Sequence, residues 1–108
     1  MDVENTRQQM RKGILEFCIM GILHKHGESY PSEILEQLKD AKLIVVEGTI
    51  YPLLTRLKND ELLTYRWEES TMGPPRKYYK LTAEGKKFYA ALGLTWKELN
   101  TAVLKITN

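Results

Sequence analysis

The sequence predicts a mainly helical α+β fold with three helices, a two-stranded hairpin and a long closing helix. Three observations carry this reading. Apolar residues recur at helical spacing in three segments as far as Leu57, the period drops to two between Leu62 and Leu81, and helical spacing returns from Thr82 onward. At 108 residues, 43% hydrophobic and 28% charged, the chain has the make-up of one compact domain, without the length for a second core.

In the first segment Ile14, Phe17, Cys18, Gly21 and Ile22 stand at helical spacing, and Gly27 is a natural stop after His24, Lys25 and His26. One helix from about Glu4 to Lys25 is expected. Ser29 can cap a second helix that ends near Asp40, with Pro31 in its first turn and Ile34, Leu35 and Leu38 on its buried side. After VVEGT, whose Gly48 punctuates a turn, Ile50, Leu53, Leu54 and Leu57 define a third helix. Pro52 would break a helix interior. An N-cap at Thr49 leaves the proline among the first residues, whose N–H groups have no helical acceptor.

From Leu62 onward Leu63, Tyr65 and Trp67 alternate with polar residues, and RKYYKL puts Tyr79 and Leu81 on one face, which reads as two strands joined by a Gly-Pro-Pro turn. With Tyr79 and Leu81 toward the core, Arg76, Tyr78 and Lys80 face outward together. Thr82 caps the last helix, with Glu84 in its first turn and an end near Ile106. Helices two and three form a helix-turn-helix, and a hairpin directly after it is a wing. The expected architecture is therefore a winged helix-turn-helix over residues 1–81, followed by a C-terminal dimerisation helix over residues 82–108, with residues 1–25 also in dimer contacts.

Composition narrows the function. A single cysteine, Cys18, excludes an intramolecular disulfide, and the polar opening MDVENTRQQMRK lacks the apolar core of a secretory signal, so a cytoplasmic protein is expected. The longest apolar stretch, Ile14 to Leu23, is interrupted by Glu16 and Gly21, which disfavours a membrane role. Cys18, His24 and His26 are the only soft ligands and do not share a face, so no metal is expected. No phosphate-cradling glycine loop and no nucleophile with a paired base is present, so neither catalysis nor a cofactor is expected.

Net charge is only +2, but the basic excess lies in the second half of the chain, at +2 in each of residues 62–81 and 82–108 against −2 in residues 31–61. If the third helix enters a major groove, its buried stripe turns Thr49, Tyr51, Pro52, Thr55, Arg56 and Lys58 toward double-stranded DNA, and the wing adds Arg76, Lys77 and Tyr78. Which of these hold phosphate and which read bases stays open. On the last helix Leu92, Trp96, Leu99, Val103 and Ile106 follow at 4, 3, 4, 3 spacing, a coiled-coil seam that, with Ile14 and Phe17, predicts a homodimer suited to a palindromic site.

EGTIYPLLTRLKNDELL, a Gly-Pro-containing turn and RKYYKLTAEGKK together resemble the PadR-type transcriptional regulators of bacteria, as do Gly13, Ile14, Leu15 and Glu16 in the first helix. The single helix after the wing is similar to the smaller branch of that family, although SYPSEIL stands where many members have a Tyr-Gly-Tyr helix start. This resemblance implies a homodimer built from the first and last helices and a repressor on its operator. It also implies relief by a small aromatic ligand at Trp96, a residue that serves equally well as a bulky seam side chain. The near-neutral charge leaves a second reading, a winged-helix dimer acting as a protein-interaction or small-molecule-binding module without DNA.

Overall fold

A computed structural model describes residues 2–108; Met1, the first residue of the expected domain, lies outside the described residues. The order is α1 (Val3–Lys12), α2 (Leu15–His26), α3 (Pro31–Asp40), α4 (Glu47–Asn59), β1 (Leu63–Ser70), β2 (Gly73–Leu81) and α5 (Ala83–Thr107), a winged helix-turn-helix with a long C-terminal helix.

The expected single helix from Glu4 to Lys25 is two helices. Gly13, a poor helix former, stands at the break, and the Ile14 N–H turns back to the Arg11 carbonyl three residues earlier at 3.0 Å. The core face is also rotated from the expected one: Leu15, Ile19, Met20 and Leu23 are buried, while Phe17, Cys18, Gly21 and Ile22 are half-buried. Gly27, at φ 87°, ends α2 in a conformation that only glycine adopts without strain.

Ser29 is not a cap. It is buried and exchanges both backbone hydrogen bonds with Tyr79, at 3.0 and 2.9 Å, so it extends the free edge of β2. Tyr30 caps α3 instead, its N–H donating to the Glu33 carboxylate at 3.2 Å, with Pro31 at the first helical position as expected. Lys42, at φ 69°, closes α3 without a glycine, its N–H donating to the Lys39 carbonyl and that of Leu43 to Leu38.

The start of α4 also departs from expectation. The helix begins at Glu47 with Val46 as N-cap, so Thr49 and Pro52 both lie inside it. Pro52 has no N–H for the Gly48 carbonyl, the acceptor four residues back, and that gap falls on the solvent side, where both residues are exposed. The opposite face of α4 buries Ile50, Leu54 and Leu57 against Ile19, Met20, Leu23, Ile34 and Leu38, and the wing completes this core with Leu63, Tyr79 and Leu81.

In the wing Leu63 pairs with Leu81, Tyr65 with Tyr79 and Trp67 with Lys77. The turn is Thr71–Met72, not Gly-Pro-Pro: Ser70 pairs with Gly73, and Pro74 and Pro75 belong to β2. In a two-stranded sheet each strand has a free edge, where a missing N–H is tolerated. Thr82 then ties wing, α4 and α5 together. Its hydroxyl donates to the Glu61 carbonyl at 2.6 Å and accepts from Gly85 at 2.9 Å, and its own N–H donates to Leu62 at 3.1 Å. The first half of α5 packs on α2, Tyr89 lying 5.4 Å from the Phe17 ring and 4.9 Å from His24. Every residue from Leu94 to the end is exposed.

Candidate nucleic-acid interface

With its buried stripe fixed, α4 presents Thr49, Tyr51, Pro52, Thr55, Arg56 and Lys58 to solvent. About 100° separates successive residues on a helix, so these side chains do not form one row. Tyr51, Thr55 and Lys58 occupy the flank toward the wing, Pro52 the crest, and Thr49 and Arg56 the flank toward α1 and α2. The structure records both flanks. Tyr51 and Thr55 line a cleft of about 550 Å3 with Trp67, Arg76 and Lys77, whereas Thr49 lines a separate groove with Gln8, Arg11 and Lys12. Arg56 is ion-paired to Glu16 of α2.

On the cleft side two ammonium groups approach one phenol ring. Lys77 Nζ lies 4.6 Å from the Tyr65 ring centre and 5.2 Å from that of Trp67, and Lys58 Nζ lies 5.9 Å from Tyr65 on the α4 side. Neither lysine has a carboxylate at ion-pair distance among the described residues, so both charges are available to an anion. The Tyr51 hydroxyl donates to the Glu47 carboxylate at 2.9 Å, which holds the phenol along α4 and raises its pKa above the ordinary value.

A stack continues from Arg76 and Tyr30 at the cleft onto the other face of the wing. The Arg76 guanidinium lies 4.4 Å from the Tyr30 ring centre, Tyr30 meets Tyr78 edge-on at 5.2 Å, and Arg66 covers Tyr78 at 4.8 Å. Arg66 is held in turn by Glu28, with Nε at 3.2 Å, and by Glu68 at 3.3 Å. That hydrogen bond pushes the Glu28 carboxyl below the usual carboxylate range and Arg66 upward. Arg76 and Lys80 are exposed and Tyr78 is half-buried, as the alternation predicts, but Tyr78 spends its ring on Tyr30 and Arg66.

The structure thus brings Tyr51, Thr55, Arg76 and Lys77 around one cleft, sets Lys58 near the Tyr65 ring, and leaves Thr49 and Arg56 on the far flank of α4. Sequence reasoning missed Tyr30 and Trp67 as cleft residues, and Tyr65 as the ring that Lys58 and Lys77 approach; Trp67 is 60% exposed. Its cross-strand pairing with Lys77 is the signal that could have found it, since an aromatic opposite a lysine favours a surface contact over a core one. The wing's cations sit at its base, because the stretch from Trp67 to Pro75 has no Lys or Arg but carries Glu68 and Glu69, and Met72 at the tip is 93% exposed. No group of three or more metal-ligating side chains occurs among the described residues, and no described helix is long and apolar enough to cross a membrane.

Residues 19–91 match the model of the transcriptional regulator PadR-like family. The chain is 62% identical to the solved structure of a PadR-like transcription factor from Bacteroides fragilis, over 95% of this chain and 99% of that one, with a TM-score of 0.79. A PadR family transcriptional regulator from Eggerthella lenta superposes with a TM-score of 0.87 at 29% identity, over 98% of this chain and 94% of that one. Bacillus subtilis PadR, solved in complex with operator DNA, is 26% identical with a TM-score of 0.67, over 73% of this chain and 46% of that one.

Proposed function

This chain belongs to the PadR-like family of transcriptional regulators, and from that premise we propose that it is a repressor that binds a palindromic operator as a homodimer. In this reading α4 enters the major groove, Tyr51 and Thr55 lie at its walls, and Lys58, Arg76 and Lys77 hold the sugar-phosphate backbone beside it. The observation that carries the proposal is the cleft between α4 and the wing, where polar and aromatic side chains converge with Lys77, while Lys58 approaches the Tyr65 ring from α4 and neither lysine has a carboxylate partner among the described residues. The complex of Bacillus subtilis PadR with operator DNA supports the same use of the fold. As a family of transcription regulators the PadR-like proteins are not enzymes, and the function rests on binding alone.

The dimer is proposed from the last helix. Trp96, Leu99, Val103 and Ile106 are 41, 54, 48 and 83% exposed, and Leu92 is half-buried, so the seam needs a partner that one chain does not supply. Pairing of α5 with its copy, with Ile14 and Phe17 flanking, covers it and makes residues 82–108 the dimerisation unit beside the DNA-binding unit of residues 1–81. Trp96, facing its symmetry mate, offers an indole to a small planar aromatic effector. The proposed setting is the bacterial cytoplasm, where operator DNA is.

The test is retention of sheared genomic DNA on the purified protein at physiological salt, followed by sequencing. The expected result is a few fragments sharing an inverted repeat, lost when Arg56, Arg76 and Lys77 are changed together to alanine. Retention no higher than bulk DNA would favour a protein- or ligand-binding dimer instead.

A further inference from the structure

Among the cations that sequence and geometry assign to the DNA face, Arg56 alone has a carboxylate partner. Lys58, Arg76 and Lys77 have none among the described residues, whereas Arg56 Nη2 meets Glu16 Oε1. Glu16 lies in the first turn of α2, with its side chain 25% exposed against 61% for Arg56. This is the one ion pair among the described residues that joins α4 to another helix, and Glu16 serves no other side chain there.

Arginine stays charged at every relevant pH, and its planar fork binds carboxylate and phosphate in the same way, so the two anions compete for one guanidinium. Glu16 is the resident competitor. It is anchored to α2 beside the rotated core stripe, while Arg56 sits on the flank of α4 away from the wing, where the second edge of a major groove would pass.

We propose that Glu16 is a positioning residue that holds the Arg56 guanidinium against α2, so that a DNA phosphate gains this contact only by displacing a carboxylate. The proposal rests on the reading of α4 as the DNA-recognition helix. It makes affinity lower and salt dependence shallower than the number of cations on the surface implies, because one cation per subunit is already neutralised.

The experiment is a fluorescence-anisotropy titration of the full chain with a labelled random-sequence duplex of about 40 base pairs across a salt series, where phosphate contacts dominate and no operator need be known. Wild type, Glu16→Gln, Arg56→Ala and the double variant are compared, each first checked for a cooperative melt. Glu16→Ala serves as a second variant if glutamine still holds the guanidinium. Removing the carboxylate is expected to tighten binding by about two- to five-fold, the range of an exposed ion pair. The slope of log K against log salt should steepen by about 0.9 for each phosphate gained. Both changes should vanish in the Arg56→Ala background. A gain that persists without Arg56 would mean that only a repulsive charge had been removed, and would overturn the proposal, as would unchanged or weaker binding by both Glu16 variants. Wild type that fails to bind the duplex at any salt would overturn the DNA reading itself, whereas wild type that binds while the Glu16 variants do not respond would overturn this inference alone.

Discussion

At Gly85 the start of α5 runs so close to the end of the α4–β1 connection that a Cβ would overlap the Leu62 carbonyl oxygen, which already accepts the Thr82 N–H. Gly85→Ala is therefore expected to push the two backbones apart and to cost about 1–3 kcal/mol, read as a lower urea midpoint at unchanged m. An unchanged midpoint would mean that the junction yields freely. Nothing in the sequence marks this glycine, because the close approach depends on where Leu62 ends up. Glu28 makes the second argument at this scale. Its carboxyl is depressed chiefly by the hydrogen bond from Arg66 and also by the nearby charges of Arg66 and Lys80. A carboxyl whose folded pKa is lowered stabilises the fold above its unfolded pKa, and that contribution fades as pH falls through the folded value. Glu28→Gln should therefore lower the melting temperature at neutral pH, begin to approach wild type only as pH falls below the ordinary glutamate value of about 4.3, and converge with it once the depressed folded value is passed. Parallel curves throughout would contradict the assignment. The partner of Glu28 was invisible beforehand, since Arg66 reaches it only once the wing folds back on the start of α3.

Among the elements, α4 shows most clearly what pattern can and cannot reveal. Ile50, Leu53, Leu54 and Leu57 located the helix and its buried face, and Ile50, Leu54 and Leu57 are indeed buried. They could not locate its first residue, because a proline six positions into a helix violates the local rule that placed the cap at Thr49. Tertiary packing overrides that rule here, and the unpaired Gly48 carbonyl is left to solvent. Pro52→Ala should restore the missing hydrogen bond and raise stability by about 1–2 kcal/mol, less than the full cost of an interior proline because the unfolded chain also gains freedom. A fall in stability would show that the proline shapes the helix start. The break between α1 and α2 and the wing turn follow the same logic. The pattern alone puts Gly13 inside one helix and the wing turn at Gly-Pro-Pro, and Lys42 and Glu61, at φ 69° and 63°, close their turns without the glycine that would have announced them. In the wing, alternation assigned both faces correctly near the core and failed at Trp67, where the hairpin outruns the helices it packs on.

For the molecule as a whole, the order of elements and the switch from helical period to alternation were sufficient to read the winged helix-turn-helix, even where individual caps and turns were misplaced. The residues proposed for the DNA face were legible as an exposed set on α4 and the wing, but not their division into a cleft flank and a Glu16 flank, which depends on how α2 packs. The long α5 carries the claim about assembly. Leu99→Glu with Val103→Glu places charges on a seam that is about half exposed in one chain, so the variant should remain folded yet give a monomer mass by light scattering where wild type is expected to give twice that mass. A monomeric wild type at micromolar concentration would remove the dimer from the account. The central claim, that DNA lies in the cleft between α4 and the wing, is tested most directly by hydrogen exchange with and without the genomic fragment most enriched by the protein. Slower exchange over residues 47–59 and 63–81, with α5 unchanged, is the expected result. Protection confined to α5, or absent from α4, would contradict it.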